Sequence, residues 1–185
     1  MKILIAVSSK EYSGSTLYTG LKVSNAFNAS TTIIDVSEKV SEYNSKIVDL
    51  AQEQMVAWDF DIPGVNVLEW AFQYLAENKL IQPKFIDEGF TKNTLIEKGR
   101  NRKVLYLAGT ICEDVNLVLR NGEIIPELRE EVQLEKYDVT IIGGSSSGKI
   151  SHDLVQYIDS SILVVRSDFN NIRNIVIPLD ESALS

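Results

Sequence analysis

The sequence predicts an α/β domain built on an open, mainly parallel, twisted sheet with helices on both faces. Three observations support this fold class. Apolar runs rich in β-branched residues alternate with amphipathic helical patterns along the chain. The runs at Ile3–Val7 and Val139–Ile142 are nearly continuous, which is typical of strands covered on both faces. Each of these two runs leads into a loop of small and polar residues and then into a helical pattern.

The first part of the chain forms a β-α-β pattern. Ile3–Val7 predicts a strand, and the following SSKEYSGS offers several helix-capping residues. Leu17, Leu21 and Phe27 are expected on one face of a helix, and Thr31–Val36 predicts the next strand. This order favours a parallel pair joined by a right-handed crossover.

The middle of the chain is less regular. A break at Pro63 and Gly64 separates two predicted amphipathic helices. Their apolar positions are Ile47, Val48, Ala51 and Met55 in the first helix, and Val67, Leu68, Ala71, Phe72 and Leu75 in the second. Trp58 and Trp70 flank the break and are interpreted as core or interface anchors. Residues 80–101 carry no pattern that assigns a structure.

The pattern becomes clearer again after that segment. Val104–Ala108 and Asn116–Leu119 predict two short strands that could form a hairpin. Ile125, Leu128 and Val132 then predict a helix with Pro126 in its first turn. The acidic residues of this helix are interpreted as its solvated face; they are Glu127, Glu130, Glu131 and Glu135.

Composition restricts the function classes. The 185 residues carry a formal net charge of −8 and no basic run, which argues against binding to nucleic acid or to an anionic membrane. The single cysteine, Cys112, excludes an intrachain disulfide and suits a reducing cytosol, and a buried structural thiol is its expected role. The apolar N-terminal run is too short for a signal peptide or a membrane span. We therefore expect a soluble, cytoplasmic protein.

The most informative segment is Tyr137–Arg166, YDVTIIGGSSSGKISHDLVQYIDSSILVVR. It predicts a strand, a Gly/Ser loop, a helix and a final strand. Such a loop exposes backbone N–H groups at the positive end of a helix, which suits an anion such as phosphate. Gly143–Lys149 also fits the P-loop pattern G-x-x-x-x-G-K. However, Ile150 stands where a P-loop carries Ser or Thr for magnesium, so a P-loop phosphotransferase is the least favoured hypothesis.

Several segments together resemble the universal stress protein family. Asp138–Gly143 is similar to that family's D-L-I-V-M-G strand, and Ser161–Arg166 is similar to its final strand. Gly148–Ser151 aligns with the family's G-S-V-[ST] segment, and Lys2–Val7 looks like its first strand. The tail, Ile175–Ser182, resembles the V-P-L-D-x-S start of a family domain. The resemblance implies the fold of adenine-nucleotide α-hydrolase-like domains.

The same resemblance implies a domain organisation. Residues 1–168 correspond to one universal stress protein-like domain, in which residues 60–115 are divergent or inserted. Residues 169–174 are expected to be a linker, and residues 175–185 the strand and loop that begin a second domain. The expected partners are a second copy of the chain, as a homodimer, or a second domain of the same family.

Two departures from the family pattern concern the ligand site. Ser8 stands where nucleotide-binding members carry an Asp, and the loop after Gly143 is shortened. The resemblance implies a stress-response or regulatory domain that binds ATP or AMP, with Mg²⁺ only if ATP is the ligand, and without catalytic residues, although weak ATP hydrolysis remains compatible with it. The expected site residues are Val7, Ser8, Ser9, Val36, Ile142, Gly143, Ser145, Ser146, Ser147, Gly148, Lys149, Ile150 and Ser151.

An alternative hypothesis comes from another class of protein. In it, the domain has lost ligand binding and serves as a dimerisation or interaction module. His152 and Asp153 are adjacent but, as neighbours on a helix, are not expected to cooperate as an acid–base pair. A lone His also makes a metal site unexpected.

Overall fold

The computed structural model describes residues 1–37, 64–90, 94–144 and 149–166. Several predicted features lie outside these residues. They are the helix at residues 47–55, Trp58, Pro63, Ser145–Gly148, the linker at residues 169–174 and the strand and loop at residues 175–185.

The described residues form one seven-stranded sheet. The strands are β1 (Lys2–Val7), β2 (Ser30–Ser37), β3 (Ile96–Glu97), β4 (Arg102–Ala108), β5 (Asp114–Asn121), β6 (Val139–Gly143) and β7 (Ser161–Val165). Their order across the sheet is β3-β4-β5-β2-β1-β6-β7. Strands β5, β2, β1, β6 and β7 are parallel to one another. β4 pairs antiparallel to β5, and β3 pairs antiparallel to β4. The predicted open, mainly parallel sheet is therefore confirmed.

Five described helices accompany the sheet. They are α1 (Lys10–Phe27), α2 (Val65–Glu77), α3 (Pro83–Glu88), α4 (Ile124–Glu135) and α5 (Lys149–Tyr157). Alternate strand residues point to opposite faces, so the sheet separates two apolar cores. Ile5 and Ile33 pack with Leu17 of α1 and Leu68 of α2 on one face. Residues Leu4, Ile34, Leu128 and Leu154 pack on the other face, against α4 and α5. Helices on both faces are thus confirmed as well.

The end of α1 departs from the prediction. Leu17 and Leu21 are buried as expected, but Phe27 is exposed. The buried residues of α1 end at Ser24, and Phe27, the last residue of the helix, lies about 80° around the helix from the direction of Leu17. The helix stops at Asn28, which adopts a left-handed conformation with φ of 45°.

The segment that the sequence left unassigned extends the sheet. Residues 80–101 contain α3 and the short strand β3. The predicted hairpin is confirmed, because β4 pairs with β5 over seven residue pairs from Arg102–Arg120 to Ala108–Asp114. A hairpin needs no crossover helix, so β4 joins β5 without a helix between them, and α3 packs on the face of Ile5 and Ile33.

The prediction that the acidic residues of α4 form a solvated face is wrong for Glu127 and Glu131. Glu131 is fully buried and Glu127 nearly so. Both oxygens of Glu131 accept hydrogen bonds from Arg102 of β4, from Nε at 2.8 Å and Nη2 at 2.9 Å. Arg120 of β5 donates to Glu131 through Nη1 at 2.9 Å and to Glu127 through Nε at 2.7 Å. These carboxylates are buried because two strand arginines neutralise and bond them.

Three further contacts complete this ion-pair cluster. Arg102 Nη2 lies 3.1 Å from Glu135 Oε1. Arg120 Nη2 lies 2.9 Å from Glu130 Oε2, an ion pair without hydrogen-bond geometry. The Tyr137 hydroxyl donates to Glu131 Oε1 at 3.2 Å. Burial, together with the neighbouring Glu131 charge, raises the pKa of Tyr137 far above its ordinary value, so its hydroxyl keeps its proton. Among the four acidic residues of α4, only Glu130 is well exposed, with 63% of its side chain accessible.

We expect Glu131→Gln to lower the free energy of unfolding by about 3–5 kcal/mol, because it leaves two buried guanidinium groups without their shared carboxylate. Urea unfolding followed by circular dichroism measures this change. Glu113→Gln, which changes the same charge at an exposed position, is the control and should change stability by less than about 0.5 kcal/mol. Equal effects of the two substitutions would contradict the role given to Glu131.

Candidate functional site

The carboxyl ends of the parallel strands meet at one edge of the sheet. β1 pairs with β2 on one side and with β6 on the other, and Ile5 lies opposite Ile141. Ser8 follows β1 directly, and Gly143 ends β6. The two predicted loops therefore leave the sheet at the same edge, where the N-termini of α1 and α5 also lie. Ligands of open α/β sheets bind at this position.

The Ser8 end of the site is a tight turn into α1. The Ser8 amide donates to Ser13 Oγ at 2.8 Å, and the two hydroxyl oxygens are 3.3 Å apart. Ser9 caps the helix, its Oγ accepting from the Tyr12 amide at 3.3 Å. Ser8 itself is exposed. Its hydroxyl is thus held near the positive end of an 18-residue helix.

The Gly143 end approaches the same helix. A Cβ added to Gly143 would lie 3.1 Å from Thr16 Oγ1, so a larger residue here would press against α1. Thr16 is buried and lies one turn after Ser13 on the same side of the helix. The Gly144 amide donates to the Val165 carbonyl at 2.6 Å, which fixes the start of the loop against β7. Ser8, Ser13, Thr16 and Gly143 together form the described part of the site, here termed the hydroxyl edge.

Several predicted site residues do not direct their side chains to the hydroxyl edge. Val7 is buried in the core under α1 and α2, whereas Ile142 is buried in the opposite core under α4 and α5. Val36 packs against that second core. Only the backbone of these three residues can reach a ligand at the edge.

The remaining predicted residues belong to the loop and the start of α5. Ser145–Gly148 lie outside the described residues. Lys149, Ile150 and Ser151 form the first turn of α5.

The site residues expected from the sequence do not include Asp35, a buried carboxyl near the same edge. Asp35 lies opposite Val7 in the register of β1 and β2 and is only 3% exposed. Its Oδ2 accepts a hydrogen bond from Ser37 Oγ at 2.6 Å. Gly64, the first residue before α2, covers it with φ of 88°, and a Cβ there would collide with both side chains. The signal in the sequence was one acidic residue inside the apolar run TTIIDVS.

Burial raises the pKa of Asp35 to about 6, against an opposing effect of the Ser37 hydrogen bond. The carboxyl therefore changes charge close to neutral pH at a site between β1, β5 and the start of α2. A perturbed carboxyl in such a place is a feature of functional sites, although structural roles also produce it.

Cys112 has the buried position that the sequence indicated, whereas His152 and Asp153 lie closer together than expected. Cys112 is buried, and burial raises the pKa of its thiol, which makes it unreactive. The side chain of His152 is 72% exposed and lies 3.6 Å from Asp153. Within the described residues, no group of three or more His, Cys, Asp and Glu side chains is placed to hold a metal ion. None of the described helices is long and apolar enough to cross a membrane.

Comparison with known proteins identifies the fold. No protein-family model matches the chain, and no curated protein matches it. Among solved structures, the universal stress protein UspA from Lactobacillus plantarum matches with a TM-score of 0.53 at 11% identity, covering 90% of this chain and 97% of that one. The hypothetical protein MJ0577 matches with a TM-score of 0.51 at 12% identity, covering 91% and 97%.

A third match is a universal stress protein family protein from Arabidopsis thaliana, solved with AMP bound. Its TM-score is 0.50 at 12% identity, and the match covers 94% of this chain and 97% of that one. The chain therefore has the fold of the universal stress proteins, as the resemblance implied.

We expect the pH dependence of stability to report on Asp35. Its carboxyl holds a proton more tightly when folded, with a pKa of about 6 against 3.8 in the unfolded chain. This contribution to the free energy of unfolding is complete below pH 3.8, and it is lost as the pH rises through about 6. Between pH 4 and pH 7, the stability of the unsubstituted chain should fall by about 2 kcal/mol relative to Asp35→Asn.

Urea unfolding of both chains at four pH values in this range measures the difference. Asp159→Asn, at an exposed position, should show no such trend. A parallel pH dependence of the unsubstituted chain and Asp35→Asn would contradict the assignment.

Proposed function

We propose that this domain of the universal stress protein fold binds an adenine nucleotide of the ATP or AMP type at the hydroxyl edge and acts as a regulatory binding domain in stress response. The observation that carries the proposal is the convergence of Ser8 and Gly143 on one sheet edge, beside the N-termini of α1 and α5. The AMP bound to the Arabidopsis relative in fold supports the choice of ligand class.

The residues present suit such a ligand. Backbone amides at the start of α5, the Ser145, Ser146 and Ser147 hydroxyls and the Lys149 ammonium supply donors for phosphate oxygens. Ser8 can donate or accept a hydrogen bond to the adenosine part, but it is shorter than the Asp it replaces and carries no charge. ATP would bring Mg²⁺ with it, whereas AMP would not need the ion.

Titration of ATP, ADP and AMP, followed by calorimetry, tests the proposal. We expect saturable binding by at least one of them. Gly143→Ala should weaken it about tenfold, because the added Cβ pushes the end of β6 away from Thr16. Gly14→Ala is the matched control, since a Cβ at Gly14 meets no atom within 4 Å. Absence of binding at millimolar nucleotide would overturn the proposal.

The same titration separates binding from catalysis. A phosphotransferase would release or transfer phosphate, and Lys149→Ala would abolish that turnover. Binding without measurable turnover is the outcome that the proposed regulatory role requires.

A second candidate function is an interaction module that pairs with a copy of itself. One exposed feature favours it: β7 forms an edge of the described sheet, and Leu163 and Val164 are 37% and 39% exposed there. An edge strand with apolar side chains is a surface that other strands can pair with.

We expect Leu163→Glu to shift the chain from dimer to monomer, because it places a charge in the apolar interface of β7. Multi-angle light scattering across a range of concentrations measures the change. Val155→Glu, on α5 and also exposed, is the control and should leave the mass unchanged. A monomeric unsubstituted chain would exclude this module.

A further inference from the structure

A groove of about 440 Å³ lies at the opposite, amino-terminal edge of the sheet, on the face that α4 and α5 cover elsewhere. Its lining includes residues of the four strands β1, β2, β4 and β5 together with Phe85 and Tyr137, and we name it the amino-edge groove. The polar and aromatic strand residues of its floor are Ser30, Thr32, Tyr106, Asp114 and Asn116, and Val104, Ala108 and Val118 line it as well. Its volume falls within the range of small-molecule sites.

The groove exists because the sheet is wider than the helical layer above it. β4 joins β5 through a hairpin, so no crossover helix covers this part of the face. α4 packs over Ile34, Val118 and Val104, which are buried and apolar. On the same face, the next residue of each strand toward the amino edge is polar or carries a hydroxyl group.

These three residues are in register on neighbouring strands. Thr32 of β2 lies opposite Asn116 of β5, which lies opposite Tyr106 of β4. Thr32 is 5% exposed, so the polar character reaches into the covered part of the sheet. Because the side chains on this face change from apolar to polar, the groove offers hydrogen-bonding groups to a ligand.

The charged side chains around the groove differ in whether they have an ion-pair partner. Lys2 pairs with Glu135 at 3.4 Å, and Arg102 pairs with Glu131 and Glu135. The Asp114 side chain, in contrast, is exposed and has no ion-pair partner among the described residues, and its charge contributes to the raised pKa of the Cys112 thiol. Asp114 is therefore the carboxylate that a ligand can pair with, whereas Glu135 is already shared by Lys2 and Arg102.

Aromatic rings accompany that carboxylate. Tyr106 is 48% exposed, and Phe85 and Tyr137 also line the groove. Ala108 pairs with Asp114 and Tyr106 with Asn116, so Tyr106 and Asp114 are diagonal neighbours on adjacent strands. Diagonal neighbours lie about 7–8 Å apart at the backbone, within reach of one small group placed between their side chains.

We propose that the amino-edge groove binds a small organic cation, a primary or quaternary ammonium compound. Asp114 serves as its counter-ion, and the ring of Tyr106 contacts the cationic group. Ammonium groups bind aromatic faces through the ring quadrupole, and a nearby carboxylate adds a direct charge interaction. This site is separate from the hydroxyl edge and does not depend on nucleotide binding there.

Choline is a suitable probe, and 3,3-dimethylbutan-1-ol is its uncharged isostere. In ¹H–¹⁵N NMR titrations of the whole chain, choline should shift the amides of Tyr106, Asp114 and Asn116 saturably. The isostere should bind at least about tenfold more weakly, because it lacks the charge that Asp114 recognises. Nucleotide-induced shifts are expected instead at Ser8 and Gly143, so the two sites can fail independently.

Two substitutions with matched controls complete the test. Asp114→Asn should abolish the choline shifts, whereas Glu113→Gln, an equal charge change next to the groove, should not. Tyr106→Leu should weaken binding severalfold, and Tyr12→Leu, at an exposed tyrosine on α1, should not. Amide spectra of the free variants show whether each one folds.

Three outcomes would overturn the proposal. They are no saturable shift with choline at tens of millimolar, equal binding of choline and its isostere, and unchanged binding by a folded Asp114→Asn chain. Saturation of the groove amides by inorganic phosphate would also overturn it, because the groove would then select the opposite charge.

Discussion

The carboxylate of Glu131 is the interaction on which the width of this sheet depends. It lies fully buried on α4 and joins Arg102 and Arg120, one from each strand of the antiparallel hairpin. Hydrogen bonding to Glu131 holds the pKa of Arg102 above its usual range, so both arginines stay charged at every physiological pH. A buried charge cluster of this kind contributes less net stability than an apolar contact of equal size, but it strongly penalises any arrangement that separates its members. The hairpin and the helix are therefore held in one register.

The two edges of the sheet differ in their chemistry. At the carboxyl edge, parallel strands and helix N-termini bring hydroxyls and amides together at Ser8 and Gly143, a setting for anions. At the amino edge, the added strands extend past the helical layer and expose polar and aromatic side chains around Asp114. The ligands proposed for the two edges have opposite charges, although both edges belong to the same sheet. The antiparallel extension is thus more than an insertion in a loop, since it creates a surface of its own.

Local patterns predicted the parallel strands, the hairpin and the meeting of the Ser8 and Gly143 ends, because these follow from strand alternation and the rules of β-α-β connection. The role of Glu131 could not be predicted in this way. Its spacing on α4 is that of a solvated face, and one of its partners, Arg102, is 29 residues away in a strand. Asp35 was missed for a related reason: its burial is completed by Gly64, which follows it by a long stretch of chain. The backbone of a site follows from topology, whereas the environment of its charged groups depends on contacts between distant segments.

The position of β1 has a consequence for the order in which the fold is completed. The Asp138 amide donates to the Lys2 carbonyl at 2.9 Å, and the Lys2 amide donates to Asp138 Oδ2 at 2.7 Å. β1 therefore can pair with β2 as soon as β2 has been made, but its second neighbour, β6, lies far along the chain and is made much later. Until then one side of a central apolar strand has no hydrogen-bonding partner, which is the condition under which strands associate wrongly. During synthesis, this side of β1 stays unpaired until β6 has been made and has paired with it, which requires the closure of a long loop.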